Sequence, residues 1–189
     1  MKLENEKDII QLVMNDQQMM DILKTASTLE LPDWWICAGF VRSKIWDTLH
    51  GFQKRTALGD VDLIYFDNLN INETDEKRLE KLLFEVMPEV PWSVKNQARM
   101  HLKNNLNPYT SSTDAISKFT ETATALGVKL DQTGNILLTA PHGIDDVLQL
   151  IVRPTPLFRD SAELLKIYNK RLAEKNWSNT WHMLTFKNK

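Results

Sequence analysis

Asp60 and Asp62 stand one residue apart at the head of Val61-Asp62-Leu63-Ile64-Tyr65-Phe66, a run rich in strand-forming residues. Alternate side chains of a strand share a face, so the two carboxylates point the same way with Cβ atoms about 7 Å apart. Two hard oxygen donors at that separation suit a magnesium or manganese ion. Magnesium usually takes one or two protein carboxylates and fills its remaining sites with water and substrate phosphates. A polar pair opening a half-exposed strand has the same pattern, so the assignment turns on what surrounds it.

Upstream, Trp34 to Ala38 is a short apolar run that reads as a buried strand and closes at Gly39. From Phe40 the apolar residues Val41, Ile45, Trp46 and Leu49 take helical spacing, with Gly51 placed as a stop. Strand, glycine and helix in that order bring the backbone close to a ligand, and the free N–H groups of a helix start favour anions such as phosphate. The four histidines, His50, His101, His142 and His182, show no metal-ligand spacing, and no serine lies in a Gly-x-Ser-x-Gly elbow. Zinc and serine hydrolase chemistry are therefore disfavoured. His101 alone is kept as a site candidate, with a buried structural histidine the stronger reading.

These residues need a scaffold, and 189 residues with 42% hydrophobic content are enough for one substantial core. A net charge of -2 gives no global case for nucleic acid or an anionic membrane. Cys37 is the only cysteine, which excludes an internal disulfide and a cysteine-built zinc site. The N-terminus does not resemble a signal peptide and no run approaches a membrane span, so a cytoplasmic protein is expected.

Helical spacing covers Glu4 to Leu29, broken or re-capped at Asn15 or Asp16. Thr74 is the expected cap of a helix through Leu79, Leu83 and Val86 that Pro88 and Pro91 stop, before a strand from Trp92. Ser111 or Ser112 caps a helix over Asp114, and Thr120 a turn ending at Gly127. Val128–Leu130 and Ile136–Leu138 read as a hairpin around Gly134, and Asp145 and Asp146 head a short apolar element, more often as caps than as ligands. Ser161 with Glu163 opens a last helix, and Trp177, Trp181 and Phe186 in the tail imply docking on the body or a subunit contact. With neither repeats nor linkers, the expectation is one mixed α+β domain over 1–189, a small mixed sheet with helical N- and C-terminal flanks.

Strand, glycine turn, helix, loop and acidic strand together resemble the core of the DNA polymerase β-like nucleotidyltransferases. Ala38-Gly39-Phe40-Val41-Arg42 is similar to the Gly-Gly-x-Val-Arg turn of tRNA nucleotidyltransferases and poly(A) polymerases, with Ala38 and Phe40 at positions usually held by glycine or serine. Trp92-Ser93-Val94-Lys95-Asn96-Gln97-Ala98-Arg99-Met100-His101 resembles a motif of a bacterial branch of that superfamily, and the likeness covers about residues 30 to 155.

The resemblance implies a metal held by Asp60 and Asp62, an NTP cradled by the Gly39 and Phe40 backbone, and Arg42, Lys95, Asn96 and Arg99 at the nucleotide. It further implies a third acid on the next strand, yet that strand carries Ser93, Lys95 and Gln97 on one face and Trp92, Val94 and Asn96 on the other. Glu89, Asp67, Asp145 and Asp146 are the candidates to replace it. The expected activity is Mg²⁺- or Mn²⁺-dependent transfer of a nucleoside monophosphate to an acceptor hydroxyl, the acceptor being a small molecule or protein sooner than RNA, with the oligomeric state open. A non-catalytic nucleotide-binding or interaction protein is the alternative. A haloacid dehalogenase-type phosphatase needs its apolar strand ahead of the first aspartate, whereas here it follows.

Overall fold

The computed structural model describes residues 2–187. Its main sheet has five strands in the order β3-β2-β1-β4-β5: β1 (Trp35–Cys37), β2 (Val61–Tyr65), β3 (Trp92–Asn96), β4 (Gly127–Leu130) and β5 (Ile136–Thr139). β2 and β3 run parallel and the other neighbours antiparallel. The parallel pair requires a crossover, supplied by α4 (Glu73–Val86). The mixed α+β expectation is met. Asn72, not Thr74, caps α4, its side chain accepting from the Thr74 N–H.

Strand alternation decides which residues face the cleft. Ile36, Val61, Leu63, Tyr65, Val94 and Val128 enter the main core, beneath α1 (Glu6–Met14), α2 (Gln17–Ser27) and α3 (Gly39–Leu49). Trp35, Cys37 and Ile64 point to the other face, where they meet Ile116 of α6 (Ser112–Ser117) and Ala125. Asp62 lies between Val61 and Leu63 and so belongs to this second face, as do Ser93 and Lys95.

β3 forms one edge of the sheet, and its outward N–H groups need acceptors. Glu80 Oε1 takes the Val94 N–H at 3.0 Å and Glu76 Oε1 takes that of Asn96 at 3.0 Å. Both acids come from α4, one turn apart, so the crossover helix also covers the edge it creates.

After α7 (Asp145–Leu148) and β6 (Ile151–Val152), the chain turns through α8 (Pro156–Arg159) into α9 (Ala162–Lys175), capped by Ser161. A 3-10 turn at Trp177–Asn179 follows, then β7 (Thr185–Phe186), which pairs with β6. Trp177 and Trp181 pack edge-on against the buried Trp46 of α3, at 5.6 and 5.2 Å between centroids. Trp181 Nε1 also donates to Asp47 Oδ1 at 2.8 Å. These tail tryptophans therefore dock on the body, which fixes α9 across the mouth of the second face.

Candidate active site

β1 delivers the chain into α3 through Ala38, whose φ of 54° and ψ of -119° lie in glycine territory. Its own N–H donates to Leu126 O and its carbonyl accepts from Val41 and Arg42, so the turn is held from both sides. Among the described residues nothing accepts from the Gly39 and Phe40 N–H groups, the expected state of the first donors of a helix. Phe40 contributes only backbone here, since its ring is buried in the core.

Asp60, immediately ahead of β2, and Asp62 line one cavity of about 360 Å³ together with Ala38, Gly39, Arg42 and Ser43. From the opposite side the same cavity is walled by Arg171 and Lys175 of α9 and by Trp177 and Trp181. A second cavity of about 320 Å³ continues past Asp62 along Ile64, Ser93, Lys95 and Gln97 towards Tyr109 and Lys118. Ala38, Asp62 and Arg171 line both, so they mark the junction of one continuous cleft.

Burial raises the Asp62 carboxyl above its ordinary range, and the neighbouring Asp60 charge adds to the rise. Arg171, Lys175 and the Ser93 hydroxyl work the other way. Arg42 is buried against Trp46, Trp177 and Trp181, with its guanidinium carbon 4.8, 4.4 and 5.8 Å from the ring centroids. Burial pushes it down to about 10, leaving it protonated at neutral pH. Its Nε finds no hydrogen-bond partner, and Nη2 reaches only the Ser43 hydroxyl at 3.2 Å.

The other expected nucleotide ligands are placed differently. Lys95 lines the second cavity, but its Nζ is bonded to Glu80 at 3.2 Å and to Val94 O at 2.9 Å. Asn96 lies on the far side of β3, buried, where it holds the Asp67 and Asn70 carbonyls and caps α5 (Gln97–Met100). Arg99 forms a two-pronged pair with the buried Glu76, at 2.7 and 2.6 Å. Neither Asn96 nor Arg99 lines the cleft: both are consumed by the joint between α4, β3 and the loop after β2. His101 packs edge-on against Tyr109 at 6.0 Å.

None of the substitute acids reaches Asp62. Glu89 lines a different cavity beside Arg55, Asp67 accepts from the Leu69 and Asn70 N–H groups, and Asp145 is exposed. Asp146 accepts from Thr122 at 2.6 Å and pairs with Arg153 at 2.9 Å. The residue across from Asp62 on β3 is Ser93. The carboxylate that does enter the cleft is Glu121, wholly buried, which sequence reasoning missed. Arg171 and Lys175 were missed as well. A lone acid among small and hydroxyl residues from Thr120 to Ala125 is the one sequence signal that marks Glu121 as buried.

A mixed sheet with an aspartate pair set against a glycine-turn helix start is the head-domain architecture of the nucleotidyltransferases. A nucleotidyltransferase family model matches residues 24–186, and the chain belongs to that family. The matched stretch takes in α9 and both tail tryptophans. A protein whose NMR structure is described as a CCA-adding enzyme head domain is 37% identical, with a TM-score of 0.90 over 99% of this chain and 98% of that one.

More distant solved structures share the fold. A CCA-adding enzyme in complex with CTP is 10% identical with a TM-score of 0.58 over 98% of this chain, and a tRNA-processing enzyme is 15% identical with 0.51 over 93%. This chain spans only 44% and 45% of those longer proteins. No curated protein matches it.

Proposed function

We propose that the protein transfers a nucleoside monophosphate from an NTP to an acceptor hydroxyl, with Asp60 and Asp62 holding Mg²⁺ or Mn²⁺. The observation that carries this reading is the convergence of both carboxylates and the Gly39 turn on one cavity. The donor set fits a hard divalent ion: two oxygen ligands one residue apart, and no larger group of metal-binding side chains among the described residues. Burial and then the Asp60 charge raise the Asp62 carboxyl, and a cation beside it would oppose both. An ion held by Asp60 and Asp62 would supply positive charge against the triphosphate.

The protein's own groups supply the rest. The Gly39 and Phe40 N–H groups offer donors to the β and γ phosphates, backed by the positive end of α3. Arg42 holds its charge beneath this turn in a dry tryptophan setting, where an electrostatic contribution is weakly screened. The wider cavity along Ile64, Ser93, Gln97 and Tyr109 takes the nucleoside and the approaching acceptor. The chain as a whole carries a net charge of -2, so a small molecule or a protein side chain is the acceptor class preferred over RNA.

Ser93 in the position facing Asp62 favours a second reading, in which the fold binds nucleotide without transferring it, because a serine is a poor base at neutral pH. One experiment addresses both. ATP and CTP should bind in a Mg²⁺- or Mn²⁺-dependent manner that Asp62→Ala abolishes while the protein stays folded. Incubation with α-labelled NTPs and an acceptor extract should release pyrophosphate above an Asp60→Ala control. Equal binding by wild type and Asp62→Ala refutes the metal assignment. Metal-dependent binding with no transfer establishes the binder.

A further inference from the structure

The polymerase-like part of the chain provides the acidic side of the cleft, and the opposite wall comes from α9. Arg171 and Lys175 are one turn apart on that helix and line the cavity of Asp60 and Asp62. Arg171 is also at the junction with the wider cavity, opposite Asp62. Its Nε donates to Glu121 Oε1 at 2.8 Å, and among the described residues no other hydrogen bond or ion pair engages the guanidinium. Glu121 is itself wholly buried, its second oxygen accepting from Thr124 Oγ1 at 2.8 Å. An uncompensated carboxylate at such a site is costly, so the pair is strongly held. The terminal nitrogens of Arg171, a residue lining both cavities, thus have no hydrogen-bond partner among the described residues. Lys175 has no partner among the described residues.

We infer that α9 supplies the cationic side of the NTP site, with Arg171 at the α-phosphate, Lys175 at the pyrophosphate portion, and Glu121 as the positioning residue that aims Arg171. This rests on the transfer reading above. In that reaction the acceptor oxygen bonds to the α-phosphorus as its bond to the bridging oxygen breaks. Pyrophosphate leaves with the bonding pair and the hydroxyl proton passes to solvent. Charge accumulates on the α-phosphoryl oxygens and on the leaving oxygen, the region a guanidinium at the junction can reach.

The probes are Mg²⁺-tripolyphosphate and Mg²⁺-ATP, titrated calorimetrically into wild type, Arg171→Ala, Lys175→Ala, Glu121→Ala and Glu121→Gln, with exposed Lys166→Ala as control. Arg171→Ala and Lys175→Ala should each weaken both ligands about tenfold or more, the scale of one charge-assisted hydrogen bond. Lys166→Ala should match wild type. Glu121→Ala should follow Arg171→Ala, and Glu121→Gln, whose amide oxygen still accepts from Nε, should recover most of the affinity.

Unchanged affinity in both Arg171→Ala and Lys175→Ala, on a wild type that binds Mg²⁺-ATP, overturns the inference and leaves the aspartate site standing. A wild type that binds neither ligand overturns the inference and the transfer reading together. Lys175 is exposed, so Lys175→Ala decides the matter should Arg171→Ala fail to fold.

Discussion

Ala38→Gly should stabilise the protein. Ala38 adopts φ 54° and ψ -119°, the first central position of a type II′ turn, which glycine occupies freely and a Cβ strains. Residues held in such regions cost about 1–3 kcal/mol. Glycine would relieve that strain but return about 0.4–1 kcal/mol through greater freedom of the unfolded chain. The lost methyl, partly packed beside the Trp35 and Ile64 cluster, removes at most about 0.8 kcal/mol.

The balance is a gain of about 1 kcal/mol, or a rise of about 2–4 °C in Tm for a chain of this size. The backbone stays in place because Leu126 O holds the Ala38 N–H while Val41 and Arg42 hold its carbonyl. Thermal and urea unfolding of the variant beside wild type measures the effect. A lower Tm for Ala38→Gly refutes the reasoning, since it would mean that the turn does not store the strain its dihedral angles imply.

Glu76→Ala should lower stability by about 1–3 kcal/mol, because it leaves the Asn96 N–H unpaired and the Arg99 guanidinium with Glu73 alone. The urea midpoint reports it, and a loss below about 1 kcal/mol would show that Glu80 and solvent take over those donors. Cys37 should resist a thiol reagent such as DTNB in the native state. Burial, then the Asp62 and Asp33 charges, raise its thiol, so thiolate is scarce at neutral pH. Labelling should keep pace with unfolding, and fast native labelling would contradict the placement of β1.

Much of the acid-bearing half of the fold was legible because its signals are local. The apolar strand, glycine turn and helix from Trp35 to Leu49 follow from composition and period, as do the hairpin of β4 and β5 and the Ser111 and Ser161 caps. Asn96 and Arg99 misled for a physical reason. A run dense in polar side chains reads as a binding surface, yet β3 is an edge whose N–H groups require acceptors and whose acceptors require counter-charges. Glu76 and Glu80, four residues apart on α4, are the sequence trace of that requirement. It becomes readable only once the crossover is known to lie along the edge.

The cationic wall was illegible for a different reason, since it depends on contacts far apart in sequence. An arginine and a lysine four apart on a mostly polar helix look like a solvated face. They become cleft residues because Trp177 and Trp181 lock onto Trp46 and Asp47, more than a hundred residues upstream, and because Glu121 waits buried beneath. The same docking places Arg42 in its tryptophan setting, so one tertiary contact brings three cations to two aspartates. Arg171 and Lys175 hold the Asp62 carboxyl down against burial and the Asp60 charge, and the Ser93 hydroxyl acts in the same direction. The tail therefore contributes to the electrostatics at Asp62, and a core cut before α9 would keep both aspartates while losing Arg171 and Lys175, so its Asp62 carboxyl should rise further.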